Sequence, residues 1–277
     1  MTVKLVTDST ADLPVQLAEE MGITVVPVYI RFGDIPYRDG VDISAEEFYD
    51  RLPSSSVIPS TMAPSPGEFA RTYEELAHST DEIVSIHITR RHSDTYNAAL
   101  LGREMAKESG CRIEVIDSEG VSMWIGLVVL AAARAAKAGY QLHQVVQTVQ
   151  KTIRQMRALV LLDTVKYIIK GGRLGNTFSK IEVFLRLKAL LTLRNGELRP
   201  AGLVRSRRKG IERLGQFIRS APRVEELAIG YSTTREDAEE LADYVAPVLR
   251  NVVPNIVRLS PALGVHAGPG ALIVINR

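Results

Sequence analysis

Between residues 4 and 157, short apolar β-branched runs alternate with helical stretches, and this alternation constrains the fold more than any other feature. Strands are expected over residues 4–7, 24–30, 82–88 and 112–116, and helices over 44–52, 65–78, 95–108, 121–138 and 142–157. The start signals are local. Ser44-Ala-Glu-Glu47 and Ser65-Pro66-Gly67-Glu68 are capping boxes, the second with proline at the first helical position. Pro27 lies inside the second run and argues for an edge strand or a bulge, because proline cannot donate to a ladder. Strands separated by helices imply a parallel sheet with crossover helices. Ligands of such sheets sit beyond the carboxyl ends of the strands. Ser9-Thr10, Ser93 and Asp117-Ser118 all follow strand ends, so three hydroxyl-bearing turns are expected along one edge.

The second half changes character. A strand over 159–162 leads into a helical stretch that ends at Lys170 and breaks at Gly171-Gly172. Residues 190–194 and 198–204 flank Asn195-Gly196, the strongest short hairpin signal. A helix over 208–220, a strand over 226–231, a helix over 236–249 and strands over 256–259 and 271–275 complete an α+β pattern with antiparallel pairing. The expected fold class is therefore α/β with two domains: a parallel-sheet domain over 1–158 and an α+β domain over 159–277.

Several function classes are disfavoured. The net charge is +2, and the one dense basic run, Arg205-Ser206-Arg207-Arg208-Lys209, contains no aromatic residue to stack on bases, so no nucleic-acid partner is expected. Cys111 is the only cysteine, which excludes an intramolecular disulfide. No His-Glu-x-x-His occurs, and His78, His87, His92 and His143 lack ligand spacing, so no metal is expected. His87 reads as a core residue on a strand. No Gly-x-Ser-x-Gly elbow and no Gly-Lys-Ser/Thr phosphate loop is present. The longest apolar run, residues 124–133, is broken by Arg134 and is too short for a bilayer, so it reads as a buried helix. With Asp8 so near the start, no signal-peptide core forms, and a cytoplasmic protein without stable membrane insertion is expected.

Four segments could carry chemistry. Pro59-Ser60-Thr61-Met62-Ala63-Pro64-Ser65 is a proline-pinned loop before a helix, suited either to an anion or to simple capping by Ser65. His92-Ser93-Asp94-Thr95 places a hydroxyl at a helix start, again as cap or as donor. In Gly264-Val-His266-Ala-Gly268-Pro-Gly270 the glycines permit a backbone that curls around an anion, with His266 at its centre or in a hydrogen-bonded core position. Lys170-Gly171-Gly172-Arg173-Leu174-Gly175 reads as a helix end with an arginine that is either solvated or functional. Ser93 and His266 could also serve a hydrolase or acyltransferase, although no orienting acid is evident.

Taken in this order, the segments resemble one family. Val6-Thr-Asp-Ser-Thr-Ala-Asp-Leu13, Pro59 to Ser65, the Ser93 turn, Val115-Ile-Asp-Ser118, Lys170-Gly-Gly-Arg-Leu174 and His266-Ala-Gly-Pro-Gly-Ala271 are similar to the motifs of DegV family proteins over essentially the whole chain. The resemblance implies a two-domain protein that binds a long-chain fatty acid between its domains, with no cofactor and no catalytic residue of its own. In bacteria some such proteins are the binding subunit of a fatty acid kinase in phospholipid metabolism. They present the acyl carboxylate to an ATP-binding kinase subunit, which makes an acyl phosphate. Carried over by motif, Thr61, Ser93 and His266 bind the carboxylate, Arg173 faces the kinase or the phosphate, and Ser9, Thr10, Met62, Ser118 and Gly268 lie near the ligand. The chain departs from the family where Met62-Ala63 replaces the frequent Ser-Gln and where Asp94 replaces the glycine of Ser-Gly-Thr.

Overall fold

The computed structural model describes residues 2–55, 57–173 and 187–277. The alternating first half forms a four-stranded, all-parallel sheet in the order β2 (Ile23–Val26), β1 (Lys4–Asp8), β6 (Glu82–His87), β7 (Arg112–Asp117). Its interior strands read as continuous apolar runs because helices cover both faces of such a sheet. The single strand expected over 24–30 is instead two: β2, at the sheet edge, stops at Val26 before Pro27, which cannot donate to a ladder, and the chain resumes as β3 (Tyr29–Phe32) in another sheet.

Two helices, α3 (Pro66–Ala77) and α4 (Thr95–Met105), pack closely. A Cβ at Gly102 would lie 2.5 Å from Phe69 Cβ and 2.8 Å from the Pro66 carbonyl oxygen. They bury Phe69, Ala70, Tyr73, Ala98 and Ala99 against Val6, Ile83, Ile113 and Val115 of the sheet. The long apolar run becomes α5 (Met123–Lys137), in which every residue from Met123 to Ala133 is buried. It packs on β1, β6 and α1 (Val15–Met21), and also on α6 (Leu142–Gln155). No helix among the described residues is long and apolar enough to cross a membrane.

The second half forms a six-stranded sheet in the order β10 (Glu197–Val204), β9 (Lys188–Arg194), β8 (Arg157–Leu162), β13 (Leu272–Asn276), β11 (Leu227–Tyr231), β12 (Asn255–Arg258). Only the β11–β12 pair is parallel. Helices α8 (Arg207–Arg219) and α9 (Arg235–Leu249) cover one face and bury Leu159, Leu161, Leu190, Leu214, Leu241 and Val274 among others. The hairpin turn has φ of 51° at Asn195 and 76° at Gly196, the left-handed pair that a two-residue turn requires.

The chain divides into two compact units: Met1–Tyr29 with Thr61–Gln155, and Ile30–Ser60 with Met156–Arg277. A single cut near residue 158 does not express this, because residues 30–60 go with the second unit. They contribute β4 (Ile35–Arg38) and α2 (Ala45–Arg51), and the chain crosses from one unit to the other within β3 and again within β5 (Ser60–Met62). Within the second unit α2 lies against α10 (Pro261–Ala267), where a Cβ on Gly264 would meet Phe48 Cε1 and Tyr49 Oη, each at 2.6 Å.

Candidate functional site

The carboxyl edge of the parallel sheet is organised by one buried carboxylate. Asp8 Oδ2 accepts from His87 Nδ1 (3.0 Å) and from the Ile88 amide (3.1 Å). Its Oδ1 accepts from the Thr10 amide at 3.1 Å and from the Thr10 hydroxyl. The chain of bonds continues inward. Ser85 Oγ lies 2.7 Å from His87 Nε2, and Tyr73 Oη donates to Ser85 Oγ at 2.8 Å. With Nδ1 donating to Asp8, Nε2 accepts from Ser85, so every polar group in the row has a use. Burial pushes the Tyr73 hydroxyl far above its ordinary range, which keeps it a donor.

These partners account for the hydroxyls expected along this edge. Ser9 Oγ accepts from the Val28 amide at 3.0 Å, the buried Thr10 is bound to Asp8, and the buried Ser118 Oγ accepts from the Gly120 amide at 3.2 Å. Asp8–His87–Ser85 has the connectivity of an acid–histidine–serine triad, yet Ser85 is 0% exposed in mid-strand and already accepts from Tyr73. It is therefore core structure rather than a reachable nucleophile.

Two sequence-predicted residues sit on connections of the first unit. Thr61 is half-buried on β5, with Met62 exposed beside it, ahead of the α3 capping box in which Ser65 and Glu68 exchange hydrogen bonds. Ser93 is half-buried just before α4. Its Oγ accepts from the Thr95 amide at 3.2 Å and lies 2.9 Å from Thr95 Oγ1. Asp94 is exposed and makes no capping bond with its side chain.

In the second unit the glycine-rich segment differs from the expected anion-curling loop. Residues 261–267 are helix α10, and His266 lies half-buried in its last turn. The amides that an anion would need are engaged: Gly268 donates to the Gly264 carbonyl (2.8 Å), Gly270 to Thr233 Oγ1 (2.9 Å) and Ala271 to Ser232 Oγ (2.8 Å). The glycines serve close approach instead. A Cβ at Gly268 (φ 71°) would sit 2.3 Å from the Tyr167 ring, and one at Gly270 (φ 73°) 2.8 Å from the Asp163 carboxyl.

The structure does bring two of the predicted segments together here. Helix α7 (Lys166–Lys170) runs into Gly171, where a Cβ would lie 2.2 Å from His266 Nδ1. Arg173 is half-buried and donates to the Gly171 carbonyl. Leu174 and Gly175 lie outside the described residues.

Arg207, which sequence reasoning passed over as part of a basic run, fastens this region. Its guanidinium bonds Asp163 Oδ1, Asp237 Oδ2 and Thr234 Oγ1, each at 2.7 Å, and also the Gly270 carbonyl. Lys188 joins at 2.9 Å from Asp163. Nothing local in Arg205–Lys209 marks one arginine as the hub, because its partners lie 27 or more positions away. Among the described residues no group of three or more His, Cys, Asp or Glu side chains could hold a metal ion.

Comparison with known proteins bears on the whole chain. The family model described as "Uncharacterised protein, DegV family" matches residues 2–276. A DegV domain-containing protein of Caldanaerobacter subterraneus subsp. tengcongensis is 36% identical over 97% of this chain and 96% of its own length. One from Streptomyces coelicolor is 33% identical over 99% and 97%. Among solved structures, a DegV family protein from Thermus thermophilus, described by its fatty acid binding, superposes with a TM-score of 0.91 at 29% identity, covering 100% of this chain and 99% of its own. DegV from Bacillus subtilis, described as a fatty acid binding protein, gives 0.91 at 26% identity, covering 99% and 98%.

Proposed function

The chain belongs to the DegV family, and from that premise we propose that it binds a long-chain fatty acid, burying the acyl tail and holding the carboxylate with Thr61, Ser93 and His266. The observation that carries this reading is the full-length likeness, at TM-score 0.91, to two proteins described as fatty acid binding. The chemistry of the residues supports it. A carboxylate leaving water needs several donors, because an unpaired buried charge is costly. When Thr95 Oγ1–H donates to Ser93 Oγ, the Ser93 proton is released to a ligand. Two hydroxyls and an imidazole bind an anion while leaving the site nearly neutral, so the group can be handed on. Binding strength comes from the tail: at about 0.8 kcal/mol per buried methylene, roughly fourteen methylenes contribute on the order of 11 kcal/mol before the costs of association.

We further propose that the protein presents this carboxylate to a separate ATP-binding kinase subunit for acyl-phosphate formation, with Arg173 facing the kinase or the transferred phosphate. The protein alone then performs no chemistry. The test begins with denaturing extraction of the purified protein and mass spectrometry of the lipids. One or two fatty acids near one-to-one stoichiometry, lost in the Thr61→Val/Ser93→Ala double variant, are expected. An empty extract together with no uptake of added fatty acid would sink the reading. An activated-ester probe is expected to leave Ser93 unmodified, and stable acylation there would turn the assignment toward a hydrolase.

A further inference from the structure

The helix-covered face of the six-stranded sheet can be followed strand by strand. It carries Leu159 and Leu161 on β8 and Leu272 and Val274 on β13. Because side chains alternate along a strand, register extends the same face to Thr192, which pairs with Leu159, and then to Arg194 two residues on. On β10 it reaches Arg199, the partner of Thr192, and Glu197, the partner of Arg194. The hairpin runs past α8, leaving an open cleft of about 620 Å³ between β9–β10 and that helix. Leu159 and Ala201 on the sheet and Phe217 on α8 give the cleft an apolar wall. Arg194, Arg199 and Arg213 bring three guanidiniums to it.

The charges around this cleft do not cancel. Arg199 is paired with Glu197 at 2.9 Å, while Arg194 and Arg213 form no ion pair among the described residues. A fourth guanidinium stands beside them: Arg157 stacks on Phe217 at 4.6 Å and donates to Ser220 Oγ at 3.1 Å. The carbonyl end of α8, near Ser220, favours a cation close by, which accounts for Arg157 but not for arginines on the hairpin. Next to Arg157 in register is Asn276, 1% exposed, whose side-chain amide has no hydrogen-bond partner among the described residues.

We propose that this cleft binds a phosphate monoester with an apolar or aromatic body. Two guanidiniums without carboxylate partners among the described residues match a dianion, and the planar fork of arginine suits bidentate phosphate binding. The volume is in the range of small-molecule sites and leaves room for a body against Leu159, Ala201 and Phe217. The cleft lies at the Arg157–Leu159 end of β8, whereas Asp163 and Gly270 mark the other end, on the order of 15 Å away for about five residues of strand. It does not depend on the fatty-acid reading.

Titration calorimetry in phosphate-free buffer tests the proposal, with phenyl phosphate and inorganic phosphate as probes. Phenyl phosphate is expected to bind at least tenfold tighter than inorganic phosphate. R194Q/R213Q is expected to weaken it tenfold or more, and the exposed control R208Q/R223Q to leave it unchanged. Displacement by AMP would mark a soluble nucleotide source and displacement by dihexanoyl phosphatidic acid a lipid one; either supports the class. The proposal is overturned if phenyl phosphate binds no tighter than phosphate, if the control variant loses as much, or if neither competitor displaces it.

Discussion

Asp8 accepts from the Thr10 amide and hydroxyl, His87 Nδ1 and the Ile88 amide, all at a fully buried position. Removing the acceptor strands several donors at once, and each unsatisfied buried donor costs about 1–3 kcal/mol. Asp8→Ala is therefore expected to destabilise the chain by about 3–5 kcal/mol, whereas Tyr73→Phe, which takes away only the donor at the far end of the row, costs about 1 kcal/mol. Urea denaturation of the two variants checks the ranking, and equal losses would show that the row does not act through Asp8. Gly171 offers a residue-scale test of the ligand site. Its φ of −71° suits alanine, so the backbone accepts the change, but the new Cβ would lie 2.2 Å from His266 Nδ1. Gly171→Ala is expected to displace the imidazole and cut fatty-acid occupancy at least tenfold, with an overpacking cost of about 1–3 kcal/mol. Occupancy is read by mass spectrometry of the extract, and unchanged lipid content would remove His266 from the head-group role.

Elements with local signals were legible in the sequence. Both capping boxes and the Asn195-Gly196 hairpin rest on a few adjacent residues, and all are present, whereas the single strand expected over 24–30 is divided at Pro27 into β2 and β3 of different sheets. Elements decided by distant contacts were not. Helix α1 has no side-chain cap at Pro14, β4 contains Pro36 and has no alternating burial, and α10 carries Gly264 in its middle. Gly264 reads as loop until Phe48 and Tyr49 are placed against it. The site shows the same split. Its four segments stood out singly, but the clamp on Gly270 by Arg207 and the Asp8–His87 pair are long-range facts. The α3 box also makes a pH prediction. Burial works to raise the Glu68 carboxyl, but hydrogen bonds from Tyr29 and Ser65 outweigh it and hold its pKa below the ordinary value. A carboxyl depressed on folding contributes stability that is complete above the unfolded value, about 4.3, and is lost as pH falls through the lower folded value. Thermal unfolding followed from neutral pH down to about pH 3 should therefore show a shallower acid limb in Glu68→Gln than in the parent chain. Parallel limbs would mean that other carboxylates control acid stability.

At the scale of the whole molecule, the chain's path makes the second unit discontinuous, since residues 30–60 belong with residues 156–277. What the inserted piece supplies is specific. Phe48 and Tyr49 are 0% and 4% exposed, lie edge to face at 5.1 Å, and occupy the space that a side chain at Gly264 would take. Arg258 stacks on Tyr49 at 5.1 Å. The fragment 156–277 keeps its six strands and the core under α8 and α9, yet it loses the cover of α10. Burying each aromatic ring is worth about 1.5–3 kcal/mol, so the fragment should lose about 3–6 kcal/mol, a large share of the usual 5–15 kcal/mol of a folded domain. A fragment begun at residue 156 is expected to show a native-like sheet by circular dichroism but weak amide-exchange protection over 261–268. Joining residues 30–60 to it through a flexible linker is expected to restore that protection, because the linker raises the local concentration of α2 without adding a contact. Full protection in the short fragment would mean that α10 is held by the sheet alone. No restoration by the linked segment would mean that the aromatic pair needs the rest of the chain to present it.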